Sequence, residues 1–432
     1  MGGSSRLSWI AVFFSIVNAT VFSQRVVSVK RGPDDRPVRF DGHRLYRVRP
    51  TGSDERKILR EIWDDEGYSV WNSLYLDERV DVMVSPEKFE SFEKLVEEKN
   101  LDVSELMNDV QSFIDQENPL SNLRDVFGWK AYHELDQIYR WLDTLASEYP
   151  NLITPLVGGS SYEGRNITGV KLSFGEGNPG VFLEGGIHAR EWISPAVVTF
   201  ILNELITSKN PDVRAIAESH DWYVFPIFNP DGYVYTHKVN RLWRKTRQPY
   251  SFGCVGADPN RNWDFHWKET GASSSPCSES FAGSAAFSEI ETRTMSEFAT
   301  TLREKIFAYI AFHSYSQVLL FPYGFTNDHV ENYQDLVDIG NATIEALKRR
   351  HNTRYRVGSV VEIMYPASGN SMDWVRGALK IPVTFTYELQ DRGRFGFILP
   401  ADQIVPTGEE TLDSLVALLQ TSRRIGYESE AV

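Results

Sequence analysis

His188 and Glu191 stand three residues apart in Gly186-Ile187-His188-Ala189-Arg190-Glu191-Trp192, just after the apolar run Val181-Phe182-Leu183. On a tight turn entering a helix, that spacing lets both side chains point at one spot. One imidazole nitrogen and one carboxylate oxygen suit zinc, and a catalytic zinc takes three protein ligands while keeping a fourth position open. The pair therefore needs a third ligand from elsewhere. His313 is the candidate, because it directly follows the apolar run 306–312, and α/β sheets present ligand-binding groups at strand ends. A purely structural histidine is the alternative at that position.

Glu388 closes a second strand-like run, 383–387, ahead of Asp391-Arg392-Gly393-Arg394. A carboxylate beside an activated water can take its proton and pass it to a leaving amine; a surface salt bridge to Arg392 or Arg394 is the plainer reading. Arg244 lies in the basic segment Asn240-Arg241-Leu242-Trp243-Arg244-Lys245, and Asn260-Arg261-Asn262 follows Asp258-Pro259. A guanidinium binds a carboxylate through two parallel hydrogen bonds. One arginine can thus anchor a substrate carboxylate while another faces a developing oxyanion; a solvated basic loop is the alternative.

The elements that must position these groups alternate along the chain. The stripe Leu135, Ile138, Tyr139 and Leu142 reads as a helix. Strands are expected at 170–172, 181–183, 222–226 and 383–387, and a buried helix at 195–205. The nearly unbroken apolar run 306–312 suits a central strand covered on both faces. Alternating strands and helices at this length imply an α/β fold with one large sheet layered by helices. Ahead of it lies a small α+β module. It has strands at 45–48 and within 75–84, helical spacing at 54–63, and one helix face at Phe89, Phe92, Leu95 and Val96. Between the two, Asn118-Pro119-Leu120-Ser121-Asn122 breaks the pattern and Arg124 follows it, a natural place for proteolysis.

The 432 residues carry a net charge of -14, which argues against nucleic acid as a partner, since phosphate binding needs a basic face. Arg6, the apolar stretch 7–17 and small residues near position 23 form a secretory signal, with cleavage expected near Ser23-Gln24. A membrane anchor is the weaker reading because the run is short, and no later segment is apolar enough to span a bilayer. The only cysteines, Cys254 and Cys277, are most simply a disulfide in an oxidising compartment, with two free thiols as the alternative. Asn166-Ile167-Thr168 and Asn341-Ala342-Thr343 match the glycosylation acceptor pattern.

Six motifs in order then carry a resemblance. They are the His188 segment, Asn229-Pro230-Asp231-Gly232-Tyr233, Arg241-Leu242-Trp243-Arg244-Lys245, Asn260-Arg261-Asn262-Trp263-Asp264, His313-Ser314-Tyr315-Ser316-Gln317 and Tyr387-Glu388-Leu389. Together they resemble the carboxypeptidase A/B family of zinc metallocarboxypeptidases over nearly all of residues 125–423. The module before resembles that family's inhibitory prosegment. The resemblance implies a single large mixed sheet with helices on both faces, preceded by the α+β prosegment. It implies one zinc per chain on His188, Glu191 and His313, and a secreted enzyme. Glu388 would be general base and acid toward a zinc-activated water, and Arg244 would hold the oxyanion. Asn260, Arg261 and Tyr365 would hold the substrate's free C-terminal carboxylate, while Arg190, Tyr315 and Phe397 would line neighbouring subsites. Cys254 and Cys277 match the family's disulfide loop.

The expected division is a signal peptide at 1–23, a flexible leader at 24–38, the prosegment at 39–116 and an activation linker at 117–124. The catalytic domain follows at 125–423 and a C-terminal tail at 424–432. Expected partners are peptide or protein C-termini and an activating trypsin-like protease, with a monomeric enzyme. In the family one pocket-floor residue separates basic from apolar C-terminal substrates. Met372 matches it, is uncharged and adaptable, and is joined by Val360, Ala367, Gly324, Leu320 and Thr386. Aromatic or aliphatic C-terminal residues are therefore expected. A B-type preference for Lys or Arg, or a peptide-binding pseudoenzyme, are the rivals. Asn370 departs from the family pattern where glycine is frequent, and Pro259 restricts the turn before Asn260.

Overall fold

A computed structural model describes residues 36–62, 65–74, 79–120 and 127–429. The expected signal peptide, the leader up to residue 35 and Arg124 lie outside the described residues.

The N-terminal module runs β1 (Arg44–Arg49), α1 (Ser53–Glu61), β2 (Tyr68–Leu74), β3 (Arg79–Val84), α2 (Phe89–Lys99), β4 (Asp102–Met107) and α3 (Val110–Glu117). Its sheet has the order β2-β3-β1-β4. Val48, Val82, Val84 and Phe92 form its buried centre, so the α2 stripe packs where its spacing places it. Strands β2 and β4 and helix α3 escaped the sequence reading. The β4 segment Asp-Val-Ser-Glu-Leu-Met is mostly half-exposed and polar, and it is a strand because β1 pairs with it. Helix α3 runs to Glu117, one residue beyond the expected end of the module.

The large domain carries strands β5 (Ile153–Ser160), β6 (Asn166–Leu172), β7 (Gly180–Gly185), β8 (Asp221–Phe225), β9 (Ile306–Ser314), β10 (Val318–Phe321), β11 (Arg356–Ser359) and β12 (Val383–Leu389). They form one mixed eight-stranded sheet, β11-β10-β12-β9-β7-β8-β6-β5. All nine residues of β9 are buried, as the apolar run required. Because side chains alternate across a strand, the two faces build separate cores. Val181, Leu183, Ile310, Phe312, Phe385 and Tyr387 face helices α4 (Leu135–Glu148), α5 (Ile193–Thr207), α9 (Tyr333–His351) and α12 (Ile404–Ile425). Phe182, Tyr309, Ala311 and Leu320 face the opposite way, toward Met295 of α8 (Ile290–Thr300) and the single-turn helices α10 (Val360–Ile363) and α11 (Ser371–Trp374). Two further helices, α6 (Pro211–Ser219) and α7 (Pro230–Lys238), flank β8. Helix α12 continues to Ile425, and beyond it Glu428 reaches buried His220 at 3.1 Å.

Candidate active site

Strands β7, β9 and β12 are mutually parallel, so their C-terminal ends lie side by side. The register pairs Glu388 directly with His313. After β7 the chain turns sharply at Gly186, whose φ of +65° suits glycine, and enters α5. A Cβ there would also meet Pro195, Ile227 and the Pro226 carbonyl at 3.2–3.3 Å. That turn carries His188 and Glu191 to the end of β9.

His188 Nδ1 lies 2.8 Å from Glu191 Oε1, and His313 Nδ1 lies 3.1 Å from His188 Nδ1 and 3.3 Å from Glu191 Oε2. The three buried residues offer ligand atoms within 4.8 Å of one another, a group able to hold a metal ion. Two imidazole nitrogens and a carboxylate oxygen are a zinc donor set. The other His188 nitrogen is directed by Asp258 Oδ1 at 3.1 Å, the carboxylate–histidine support that metal sites use.

Asp258 escaped the sequence reading, which saw it only as the residue before Pro259. It is fully buried and also receives Arg244 through Nε at 3.2 Å and Nη2 at 2.7 Å. Burial works to raise its pKa, but the Arg244, His188 and Arg261 charges hold it far below the usual carboxylate range. Glu191 is likewise held low, by His188 and His313 against the effect of burial. Glu388 behaves oppositely. Burial, seconded by the Glu191 charge, pushes it up to about 8 against His313, Arg244 and Arg261. Those are the largest charges acting on it. The Arg392 carbonyl accepts Arg47 and Arg79 from the N-terminal module.

These groups line one cleft of about 460 Å³. Along one wall, Arg261 donates to the Tyr365 hydroxyl at 3.1 Å and to the Gly271 carbonyl at 3.0 Å, while Asn260 is fixed by Asp258 and by the Ser371 amide. Arg190 lies 4.1 Å over the Phe397 ring and 3.4 Å from Glu279. At the inner end, Met372 is 3% exposed and its sulfur accepts the Thr386 hydroxyl at 3.4 Å. Leu320, Val360, Ala367 and Asn370 complete that end. Gly324, expected among them, sits behind Ala367 and Asn370 rather than on the cleft surface. Asn370 caps α11 by accepting the Asp373 amide at 2.7 Å, which gives the departure from glycine a structural role. Asp373 itself is spent on the Gly324 amide at 2.9 and 3.1 Å, and burial pushes its carboxyl up to about 7.

The outer end is shared with the N-terminal module. Trp71 and Asn72 of β2 line the cleft, with Trp71 5.3 Å from the Phe397 ring and Asn72 donating to Ser316. Asp81 of β3 accepts the Tyr315 hydroxyl at 2.9 Å and forms an ion pair with Arg47. Arg241, read only as part of a basic motif, is buried here. It pairs with Glu117 of α3 and donates to the carbonyls of Arg190 and Phe397. Cys254 and Cys277 are bonded, with Cα atoms 5.0 Å apart.

Comparison with known proteins shows the family. The zinc carboxypeptidase family profile matches residues 138–414, and the carboxypeptidase activation peptide profile matches 46–117. The chain belongs to the zinc carboxypeptidases. The enzyme is 51% identical to zinc carboxypeptidase A 1 of Anopheles gambiae over 91% of this chain and 92% of the relative. It is 46% identical to carboxypeptidase B of Astacus astacus, over 66% and 95% respectively. Among solved structures it resembles the carboxypeptidase A of Helicoverpa armigera, with a TM-score of 0.81 and 28% identity, covering 90% of this chain and 99% of that one. This carboxypeptidase is therefore a zinc hydrolase that carries an activation peptide, acts on peptides and is activated by proteolytic cleavage. Among the described residues no helix is long and apolar enough to cross a membrane.

Proposed function

We propose that this carboxypeptidase removes aromatic or aliphatic residues from peptide C-termini, with His188, Glu191 and His313 holding the zinc. The uncharged inner end of the cleft around Met372 carries the reading. When bound, zinc polarises the scissile carbonyl and lowers the pKa of water to about 7. Glu388 takes the proton of the attacking water and delivers it to the departing amine. Arg244, held by Asp258, faces the oxyanion of the scissile group. Arg261, with Asn260 and Tyr365, clasps the free terminal carboxylate, which sets the attacked bond one residue from the chain end. Arg190, Tyr315 and Phe397 bind residues upstream.

A basic terminal side chain would leave its charge unpaired beside Met372, and an uncompensated buried charge costs about 3–5 kcal/mol. Peptides ending in Phe should therefore show kcat/KM at least about 100-fold above matched peptides ending in Arg. Faster release of Arg would reject the pocket assignment. The crayfish relative bears the name carboxypeptidase B, but here a basic preference would need an acidic group where Met372 stands. A pseudoenzyme is disfavoured because His188, Glu191, His313 and Glu388 are all present in the sequence.

Residues 39–116 and the linker 117–124 are proposed as the latency device of a secreted monomer, with Arg124 the target of a trypsin-like protease. Trp71 and Asn72 stand in the cleft and Asp81 occupies the Tyr315 hydroxyl. Brief trypsin treatment should raise the hydrolysis of long peptides. Full activity toward them in the uncut chain would refute latency.

Asp258 supports both His188 and Arg244. Asp258→Asn should weaken zinc binding about 10- to 100-fold, as loss of such outer partners does. Chelator titration of the folded variant measures it, and an unchanged zinc affinity would remove Asp258 from this role.

A further inference from the structure

Glu184 is the fifth residue of β7, four positions before His188. A central strand of a sheet layered on both faces calls for apolar side chains, yet Glu184 is a carboxylic acid only 1% exposed. Among the described residues neither of its carboxyl oxygens reaches hydrogen-bond geometry with a partner. Its neighbours are polar: the Tyr309 and Ser371 hydroxyls lie beside it, and the buried Tyr309 hydroxyl also lacks a partner.

The register explains what this acid is near. Glu184 stands opposite Ala311 of β9. Tyr309 and His313 lie two residues to either side of Ala311, on the same face of the sheet. The Nδ1 atom of His313 points at His188 and Glu191, so its Nε2 is the outer nitrogen. That nitrogen is buried and also lacks a partner. The contrast with His188 is sharp, because Asp258 directs that ring. A metal-bound imidazole ordinarily donates its second N–H to a carboxylate, a carbonyl or water. Three carboxylates act on His313: Glu191, Glu388 and Glu184. The first faces the metal and the second moves the proton. Glu184 has no task so far.

We propose that Glu184 is a positioning residue of the metal centre, receiving the outer N–H of His313 through a bridging water held with the Tyr309 hydroxyl. The inference rests on His313 being a zinc ligand. A water in that place has three polar partners, the number that buried waters commonly use. The arrangement fixes the tautomer with its proton on Nε2, leaves the Nδ1 lone pair for the metal and holds the ring plane. It gives the second histidine the support that Asp258 gives the first.

The test is zinc affinity of the purified full-length chain, measured by competition with a chromogenic chelator. Glu184→Met preserves the shape and removes both oxygens, and should weaken zinc about 10- to 100-fold. Glu184→Gln, which is gentler on folding, should fall between Met and wild type. Both should shift the visible absorption of the cobalt-substituted protein, since the geometry at His313 changes. A merely structural acid would lower the melting temperature of the metal-free protein while leaving the zinc dissociation constant within twofold and the cobalt spectrum unmoved. That result overturns the proposal, and Glu184→Gln decides it if Glu184→Met does not fold. His313→Ala in the same assay separates the two readings: full zinc affinity there would reject the ligand assignment itself.

Discussion

Glu388→Gln should lower kcat by about three orders of magnitude, within the range of about 10²–10⁴ that a positioned proton carrier contributes. The amide keeps the shape and the hydrogen-bonding reach of Glu388 but cannot accept a proton from water or return one to the amine. Glu388 pairs in register with His313 without being one of the three clustered ligand residues. Zinc content should therefore stay at one per chain, and KM should change far less than kcat if Arg261 and its neighbours bind the substrate as proposed. Single-turnover assays with metal analysis measure both. Loss of zinc together with activity would show that Glu388 holds the metal, and near-normal kcat would show that the proton travels elsewhere.

Met372→Asp should invert the terminal preference. The new carboxylate would stand at the inner end of the cleft, beside the Thr386 hydroxyl that now donates to the methionine sulfur. A substrate guanidinium would then find a partner in a site that excludes water, where close charge pairs couple by about 1.5–7 kcal/mol. Release of C-terminal Arg should rise by about two orders of magnitude, and release of Phe should fall by at least tenfold. Rates on paired Phe and Arg peptides read both changes. An unaltered ratio would mean that the terminal side chain does not reach Met372. Asp373, the neighbouring acid, does not substitute for this charge because the Gly324 amide already occupies its oxygens.

Glu388 stands out in the sequence for a local reason, whereas Met372 is singled out only by the family resemblance. His188 and Glu191 share one turn, so spacing alone brings them together. His313 and Glu388 end apolar strands, and parallel strands in one sheet end on the same side. The two-sided core is legible for the same reason, since runs such as 306–312 have no polar face to offer solvent. Asp258 had no such signal. An aspartate before proline is an ordinary turn residue until folding sets it under both His188 and Arg244. Arg241 looked like part of a basic segment, yet it is a buried tie between Glu117 and two backbone carbonyls. Strands β2 and β4 were unreadable because their pattern is polar or irregular and pairing supplies what propensity does not.

The sequence by itself determined which chemical groups are available: a histidine and a glutamate on one turn, a further histidine and a carboxylate that end apolar runs, and two arginines, while Met372 is singled out only by the family resemblance. Side-chain type and short spacing carry that information, and neither depends on long-range packing. The tertiary structure alone decided how those groups are held. It placed Asp258 under two of them, left Glu184 behind His313, and put Trp71 and Asp81 at the mouth of the cleft. These are contacts between segments tens to hundreds of residues apart, and no local pattern encodes them. They follow from the register of β7, β9 and β12 and from the docking of β2 and β3 against the cleft.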